Sequence, residues 1–177
     1  NLDVVDIDGA VDMASTLTIA GAINGATIKA DTTNFENSYL ISQNASTGTL
    51  SSASANTGFG DSVFAALTTG TSNVAIGNAA MAANTTGSLN TAVGNGAFDT
   101  NTTGSSNVAI GDRALTANTT ASNNTAVGSL ALTANTTGAS NVAVGKDALK
   151  ANTTAAENTA VGVSSMEANT TGASNAA

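Results

Sequence analysis

The chain has 177 residues, a net charge of −8 and no cysteine, histidine or tryptophan. Without cysteine, it forms neither a disulfide framework nor a thiolate metal site. No apolar run approaches the roughly 20 residues of a membrane-spanning helix. Four scattered basic residues are too few to bind a nucleic-acid backbone: Lys29, Arg113, Lys146 and Lys150. We therefore expect neither a nucleic-acid partner nor membrane insertion.

Residues 1–30 contain short alternations of apolar and polar residues interrupted by acids and glycines, at residues 4–9, 17–19 and 23–28. Such runs predict short strands. Strands this short, with so few large side chains, would bury very little in a single chain. We therefore expect this region to form a β-rich fibre stem in which three chains wrap around one another.

Three acids in this stem have part of the spacing of a calcium-binding loop, namely Asp6, Asp8 and Asp12. A complete loop also needs a third ligand before its glycine and a bidentate Glu at its end, and both are missing here. We interpret the acids as solvated structural residues and predict no metal site and no cofactor. The alternative is a cation bound on the axis of a trimer.

Residues 31–55 are rich in Asn, Ser and Thr and lack the repeat that follows them. Their bulky side chains are concentrated at Phe35 and at residues 39–41. The composition predicts a connector or a short transition fold.

Residues 56–177 contain a 17-residue sequence repeated seven times, followed by the start of an eighth copy. The copies begin at Asn56, Asn73, Asn90, Asn107, Asn124, Asn141 and Asn158. Such a repeat predicts a solenoid, in which each coil buries its apolar face against its neighbours. A thin solenoid also explains why Leu, Ile, Val and Phe number only 33 of 177, a composition that alone would indicate disorder.

The positions of the repeat are numbered 1–17 from its invariant Asn. Position 4 is always apolar, position 5 is always Gly and position 3 is Ala in all but the first copy, which predicts a short strand followed by a turn. Positions 5, 8, 9 and 12 are restricted and positions 6, 7 and 10 vary, a spacing that predicts a short helical turn with the large residue at position 9 inside. The Asn at position 12 would end this turn in the left-handed conformation, and Thr-Thr-Gly would form the corner. The predicted fold is therefore a mainly β, β-roll-like solenoid.

Position 2 alternates between Thr and Val along the array, so that the pattern as a whole has a period of 34 residues: Thr57, Val74, Thr91, Val108, Thr125, Val142 and Thr159. Alternate coils must therefore differ in environment. We expect position 2 to face an interface, either with the opposite side of the coil or with another chain.

The array offers no recognisable catalytic group. Its acids occupy mostly variable positions, with no acid and base pair among them, and predict a solvated face: Asp61, Asp99, Asp112, Asp147, Glu157 and Glu167. Each Asn-Thr-Thr is formally a glycosylation sequon, but its place at the corner of nearly every coil favours a turn function. We predict no catalytic residue, no cofactor-binding residue and no enzymatic activity.

At residues 73–77 and 107–111, the run Asn-Val-Ala-Ile-Gly resembles the head repeats of trimeric autotransporter adhesins, whose coils form a left-handed β-roll. Those coils are usually shorter and lack the half seen at residues 131–138, Ala-Leu-Thr-Ala-Asn-Thr-Thr-Gly. The longer form is more similar to the arrays of bacteriophage tail fibres, and the opening stretch is also similar to phage fibre stems.

This resemblance implies a homotrimeric virion structural protein, located in the phage tail, that reaches or holds a host surface. It transfers no catalytic or receptor-binding residue. The expected function is that of a rigid spacer in a tail fibre, with copies of itself, other tail proteins and a host receptor as partners. The alternatives are a trimeric adhesin on a bacterial cell surface and an ice-binding solenoid, which stacked Thr and Asn would suit. Ice binding is less favoured because adjacent threonines in an extended corner point to opposite faces.

Overall fold

The structure, a computed structural model, describes residues 27–32, 35–42, 48 and 50–177. Its fold is mainly β, without a helix in these ranges, and forms a solenoid of about seven turns with a 17-residue repeat. The solenoid prediction is therefore confirmed. The strands predicted within residues 1–26, and the acids Asp6, Asp8 and Asp12, lie outside the described residues and stay predictions.

One ten-stranded sheet runs along the whole solenoid. Its strands are β1 (Thr27–Thr32), β2 (Phe35–Ser42), β3 (Ala53–Ser54), β4 (Thr57–Phe59), β5 (Val74–Ile76), β6 (Thr91–Val93), β7 (Val108–Ile110), β8 (Thr125–Val127), β9 (Val142–Val144) and β10 (Thr159–Val161). Strands β4 to β10 are positions 2–4 of successive coils and pair in parallel, each residue beside its equivalent 17 residues away. The repeat length therefore sets the register of the sheet.

The N-terminal end of the array is covered by a hairpin in which β1 pairs antiparallel with β2. Strand β2 then pairs in parallel with β4, so residues 38–41 take the places of positions 1–4 in an additional coil. Leu40 is fully buried in the slot that Ala occupies elsewhere. A Cβ on Gly58 would lie 2.8 Å from Leu40 Cδ1, which explains why only the first repeat has Gly at position 3.

The interior of each of the first six coils consists of positions 1, 3, 8, 9, 12 and 15. Position 9 supplies the large side chain, as predicted, and is fully buried at Phe64, Met81, Phe98, Leu115, Leu132 and Leu149. Ala fills positions 3 and 8 in most coils. The coil is thus so narrow that one large residue per turn fills it.

The predicted helical turn is wrong. In the coil that starts at Asn124, the residues at positions 7 and 9 are left-handed, with φ of 61° at Leu130 and 51° at Leu132, which an α-helix does not allow. The segment instead forms overlapping turns, in which Ala131, Thr133 and Asn135 donate backbone hydrogen bonds to the carbonyls three residues earlier. The intervening N–H groups of Leu130, Leu132 and Ala134 donate to neighbouring coils.

The restricted positions that imitate a helix face have separate physical causes. Position 5 is Gly because its φ lies between 129° and 141°, and because the backbone of the next coil is close: a Cβ on Gly111 would lie 2.6 Å from the carbonyl carbon of Gly128. Positions 8 and 9 are restricted by burial. Position 12 is not among the residues with positive φ, contrary to the prediction, and the left-handed corner residue is position 17, with φ of 64° at Asn123.

Leucines at positions 9 and 7 of one coil provide a test of this interior. We expect Leu132→Asp to destabilise the chain by about 4 kcal/mol or more, because it places an unpaired charge in a closed core. Leu130→Asp should change stability by less than about 1 kcal/mol, since Leu130 is half-buried and Asp tolerates the left-handed backbone conformation of this position. Chemical denaturation measures both, and equal tolerance of the two variants would show that position 9 is not the interior position.

Candidate functional site

The Asn at position 1 forms a buried ladder that connects every coil to the one before it. The backbone N–H of Asn124 donates to Asn107 Oδ1 at 2.9 Å, and the same bond recurs from Asn73 to Asn175. Asn107 Nδ2 donates to Ala121 O within its own coil at 2.9 Å and to Asn90 Oδ1 at 3.2 Å. Both ends of the amide are therefore used, which accounts for the invariance of position 1. At the first coil, Ser38 Oγ replaces the missing amide and accepts from Asn56 N–H at 2.8 Å.

The Asn at position 12 forms a second ladder. Asn118 Nδ2 donates to Asn101 Oδ1 at 3.2 Å and to Ala121 O at 3.1 Å. The two ladders thus meet at this position 15 carbonyl, as they also do at Gly87, Gly104 and Ala155. This convergence leaves little space at position 15, which is Gly or Ala throughout. A Cβ on Gly104 would lie 3.1 Å from Asn118 Nδ2.

The Thr at position 13 adds a third connection between coils. Its hydroxyl donates to the carbonyl of the equivalent Thr in the next coil, at 2.8 Å from Thr85 to Thr102 and at 3.0 Å from Thr102 to Thr119. The Thr at position 14 is mostly exposed. Only one of the two adjacent threonines therefore offers its hydroxyl to solvent.

The outward side of the sheet carries the side chains of positions 2 and 4 in β4 to β10, and this surface is here named the sheet face. Position 3 points inward, so positions 2 and 4 point away from the coil interior. This orientation excludes the opposite side of the coil as the neighbour of position 2. Position 4 leaves large apolar groups in solvent, with Ile76 40% exposed, Ile110 39% and Val161 61%. The sheet face continues onto Tyr39, which is 63% exposed.

Charged groups of the array lie at positions 6, 7 and 10, except Glu157 at position 17. Asp147 departs from the predicted solvated face. This carboxylate is buried because Lys150 Nζ lies 3.0 Å from Asp147 Oδ1 and Lys146 Nζ lies 3.6 Å from its Oδ2. The hydrogen bond with Lys150 holds the pKa of Asp147 below its usual range, against the opposing effect of desolvation, and the same contact raises the pKa of Lys150. Desolvation raises the pKa of Asp99.

The structure does not bring the acids of the array together into a site. Among the residues that it describes, no three acidic side chains lie close enough to hold a metal ion. The same part of the chain contains no helix suited to crossing a membrane. The sequon asparagines from Asn84 to Asn152 are buried, and their Nδ2 atoms are hydrogen-bonded inside the coil.

Comparison of the chain with protein-family models, with curated proteins and with solved structures finds no match. The candidate functional features are therefore the two amide ladders and the sheet face. The invariance of position 1 and the alternation of position 2 are the sequence signals for these features. Invariance alone does not indicate that the Asn at position 1 forms a buried ladder.

Removal of one ladder amide should be costly. We expect Asn107→Ala to lower the free energy of unfolding by about 2–4 kcal/mol, because the N–H of Asn124 and the carbonyl of Ala121 each lose a buried partner. Asn95→Ala is the matched control, since Asn95 is exposed and donates only a long 3.3 Å bond to Asn78, and it should cost less than about 0.5 kcal/mol. Urea denaturation compares the two, and equal losses would contradict a special function of the ladder.

Proposed function

We propose that this chain is a structural segment of a homotrimeric bacteriophage tail fibre, in which the array acts as a rigid spacer. Three chains run side by side, and the part of the predicted stem that precedes β1, residues 1–26, winds them together. The partners are copies of the chain, other tail proteins and a receptor on the host surface, which the exposed variable positions contact. The location is the virion tail.

The observation that carries this proposal is the continuous hydrogen bonding between coils. Backbone bonds join neighbouring coils in the strand, in the turns and at the corner, for example from Val108 N–H to Asn124 O and from Leu115 N–H to Ala131 O. The amide ladders repeat the connection inside. With a rise of about 4.8 Å per coil, seven coils extend over about 34 Å. A column connected at so many points per coil resists bending, which is the property that a spacer requires.

The composition of the surface agrees with such a function. Positions 6, 7 and 10 differ from coil to coil, and the large changes between them, such as Arg113 and Asp147 at position 7, leave the interior unchanged. Contacts with a host can therefore vary without loss of the scaffold.

A trimeric adhesin on a bacterial surface is the second candidate, because its spacer would need the same stiffness and the same exposed variable positions. Antibodies raised against residues 56–177 distinguish the two locations. Labelling of virion tails in electron micrographs favours the fibre, and labelling of intact bacterial cells favours the adhesin. An ice-binding function receives less support, since the position 13 hydroxyls are already bonded to carbonyls of the next coil.

The proposal predicts the state of the full chain in solution. We expect light scattering to give three times the mass of one chain, and small-angle X-ray scattering to give an elongated particle, because the solenoids lie side by side along one axis. A folded monomer at all concentrations measured would contradict the trimer and the fibre stem with it.

A further inference from the structure

The sheet face is an uncharged surface on an acidic chain. Its fourteen side chains at positions 2 and 4 are Thr, Val, Ile and one Phe, whereas the chain as a whole has a net charge of −8. Two copies of such a chain repel one another over most of their surfaces and least where no acid is present. The charge distribution therefore favours this face for contact between copies.

The alternation at position 2 has no cause inside the coil. The interior side chains at positions 1, 3 and 9 do not follow it, and every strand pairs with its neighbours in the same register. The alternation appears on the sheet face, where Val-Ala-Ile at β5 and β7 alternates with Thr-Ala-Val at β6 and β8. The exposed position 17 follows it, with Ser two residues before each Val, at Ser72, Ser106 and Ser140. A partner whose contacts distinguish Thr from Val at position 2 must therefore repeat every two coils. A second copy of this chain has that period.

The threonines of the sheet face differ from those of the corner in their hydrogen bonding. Within the described part of the chain, the hydroxyls of Thr91 and Thr125 have no hydrogen-bond partner, whereas that of Thr102 donates to Thr119 O. A buried hydroxyl needs a partner. When a second copy covers the face, a Thr hydroxyl that lies opposite another Thr has a hydrogen-bond partner, as in cross-strand Thr pairs. A Thr hydroxyl opposite a Val has none.

The area of the sheet face decides whether it can hold two copies together without other contacts. Seven strands about 4.8 Å apart, with positions 2 and 4 about 7 Å apart along each strand, give a patch of about 240 Å². A stable interface buries about 800 Å² per partner. The face is thus too small to hold two chains together alone, and it would align chains that other contacts also join.

We propose that copies of this chain meet through their sheet faces with equivalent coils opposite each other, and that the Thr and Val alternation sets this register. A shift by one coil places each Thr opposite a Val and leaves the hydroxyls unpaired, whereas a shift by two coils restores the match but leaves two coils uncovered at each end. The inference rests on the proposed self-assembly and specifies where and how the copies meet.

The first test measures whether the face is covered. The chain has no cysteine, so Ile110→Cys and Thr120→Cys each introduce one thiol, on the sheet face and at an exposed corner respectively. In the full-length protein, N-ethylmaleimide should modify Cys at position 110 at least about tenfold more slowly than at position 120, after normalisation to the rates in denaturant. In an isolated chain this difference is not expected, since Ile110 is 39% exposed.

Light scattering on the same samples separates the outcomes. Rapid modification at position 110 in a multimer would overturn the inference and leave self-assembly intact. A monomer would overturn both. Thermal hysteresis with a freely reactive thiol at position 110 would assign the face to ice and overturn the inference as well.

The second test measures the register. Val108→Cys chains and tagged Thr125→Cys chains are unfolded, mixed, refolded and treated with a short bismaleimide cross-linker. Facing sheets lie about 10 Å apart, beyond the reach of a disulfide, and adjacent coils differ in height by about 4.8 Å. Matched coils predict cross-links mainly between two copies of the same variant. Cross-links mainly between the two variants would show a shift by one coil, and either that result or the absence of both kinds would overturn the matched register.

Discussion

The need to satisfy buried polar groups governs this structure. A coil of 17 residues with one large side chain inside has little apolar area to bury, and its backbone turns sharply several times. The corner carbonyl at position 15 and the N–H at position 1 would be unsatisfied there without the two asparagines. Each amide both donates and accepts, so one residue type serves the coil and its neighbour together. The free-energy cost of one unsatisfied buried polar group is comparable to the free energy gained by burying one small apolar side chain.

The hydrogen bonds also explain how the chain tolerates unusual backbone angles. Positions 7, 9 and 17 are left-handed in nearly every coil, and they include large residues such as Phe98 and Leu115. A non-glycine residue in this conformation is disfavoured by about 1–2 kcal/mol. The turns that result point alternate N–H groups toward neighbouring coils, where they find carbonyls. The strain in one coil is offset by bonds that exist only because other coils are stacked on it, which makes an isolated coil unstable.

The outer surface is divided between two kinds of position. Variable positions carry the charges, and they form local networks such as that of Asp147 with Lys146 and Lys150. The sheet face is uncharged and regular, and its regularity follows a period that the interior does not have. A spacer fibre needs both properties, since the charged positions keep it soluble and the uncharged face allows copies to approach.

The period of 17, the strand at positions 2–4 and the burial of position 9 were determined by the sequence alone, because repeated burial restricts the same positions in every copy. The turn segment was decided only by the tertiary structure. Its restricted positions imitate a helix face, but Gly111 is required by a backbone in the next coil and Asn118 by a partner 17 residues away. Periodicity within one segment cannot show such contacts. The place of Leu40 and the outward direction of position 2 likewise depended on how coils stack, since each is defined by a neighbour distant in sequence.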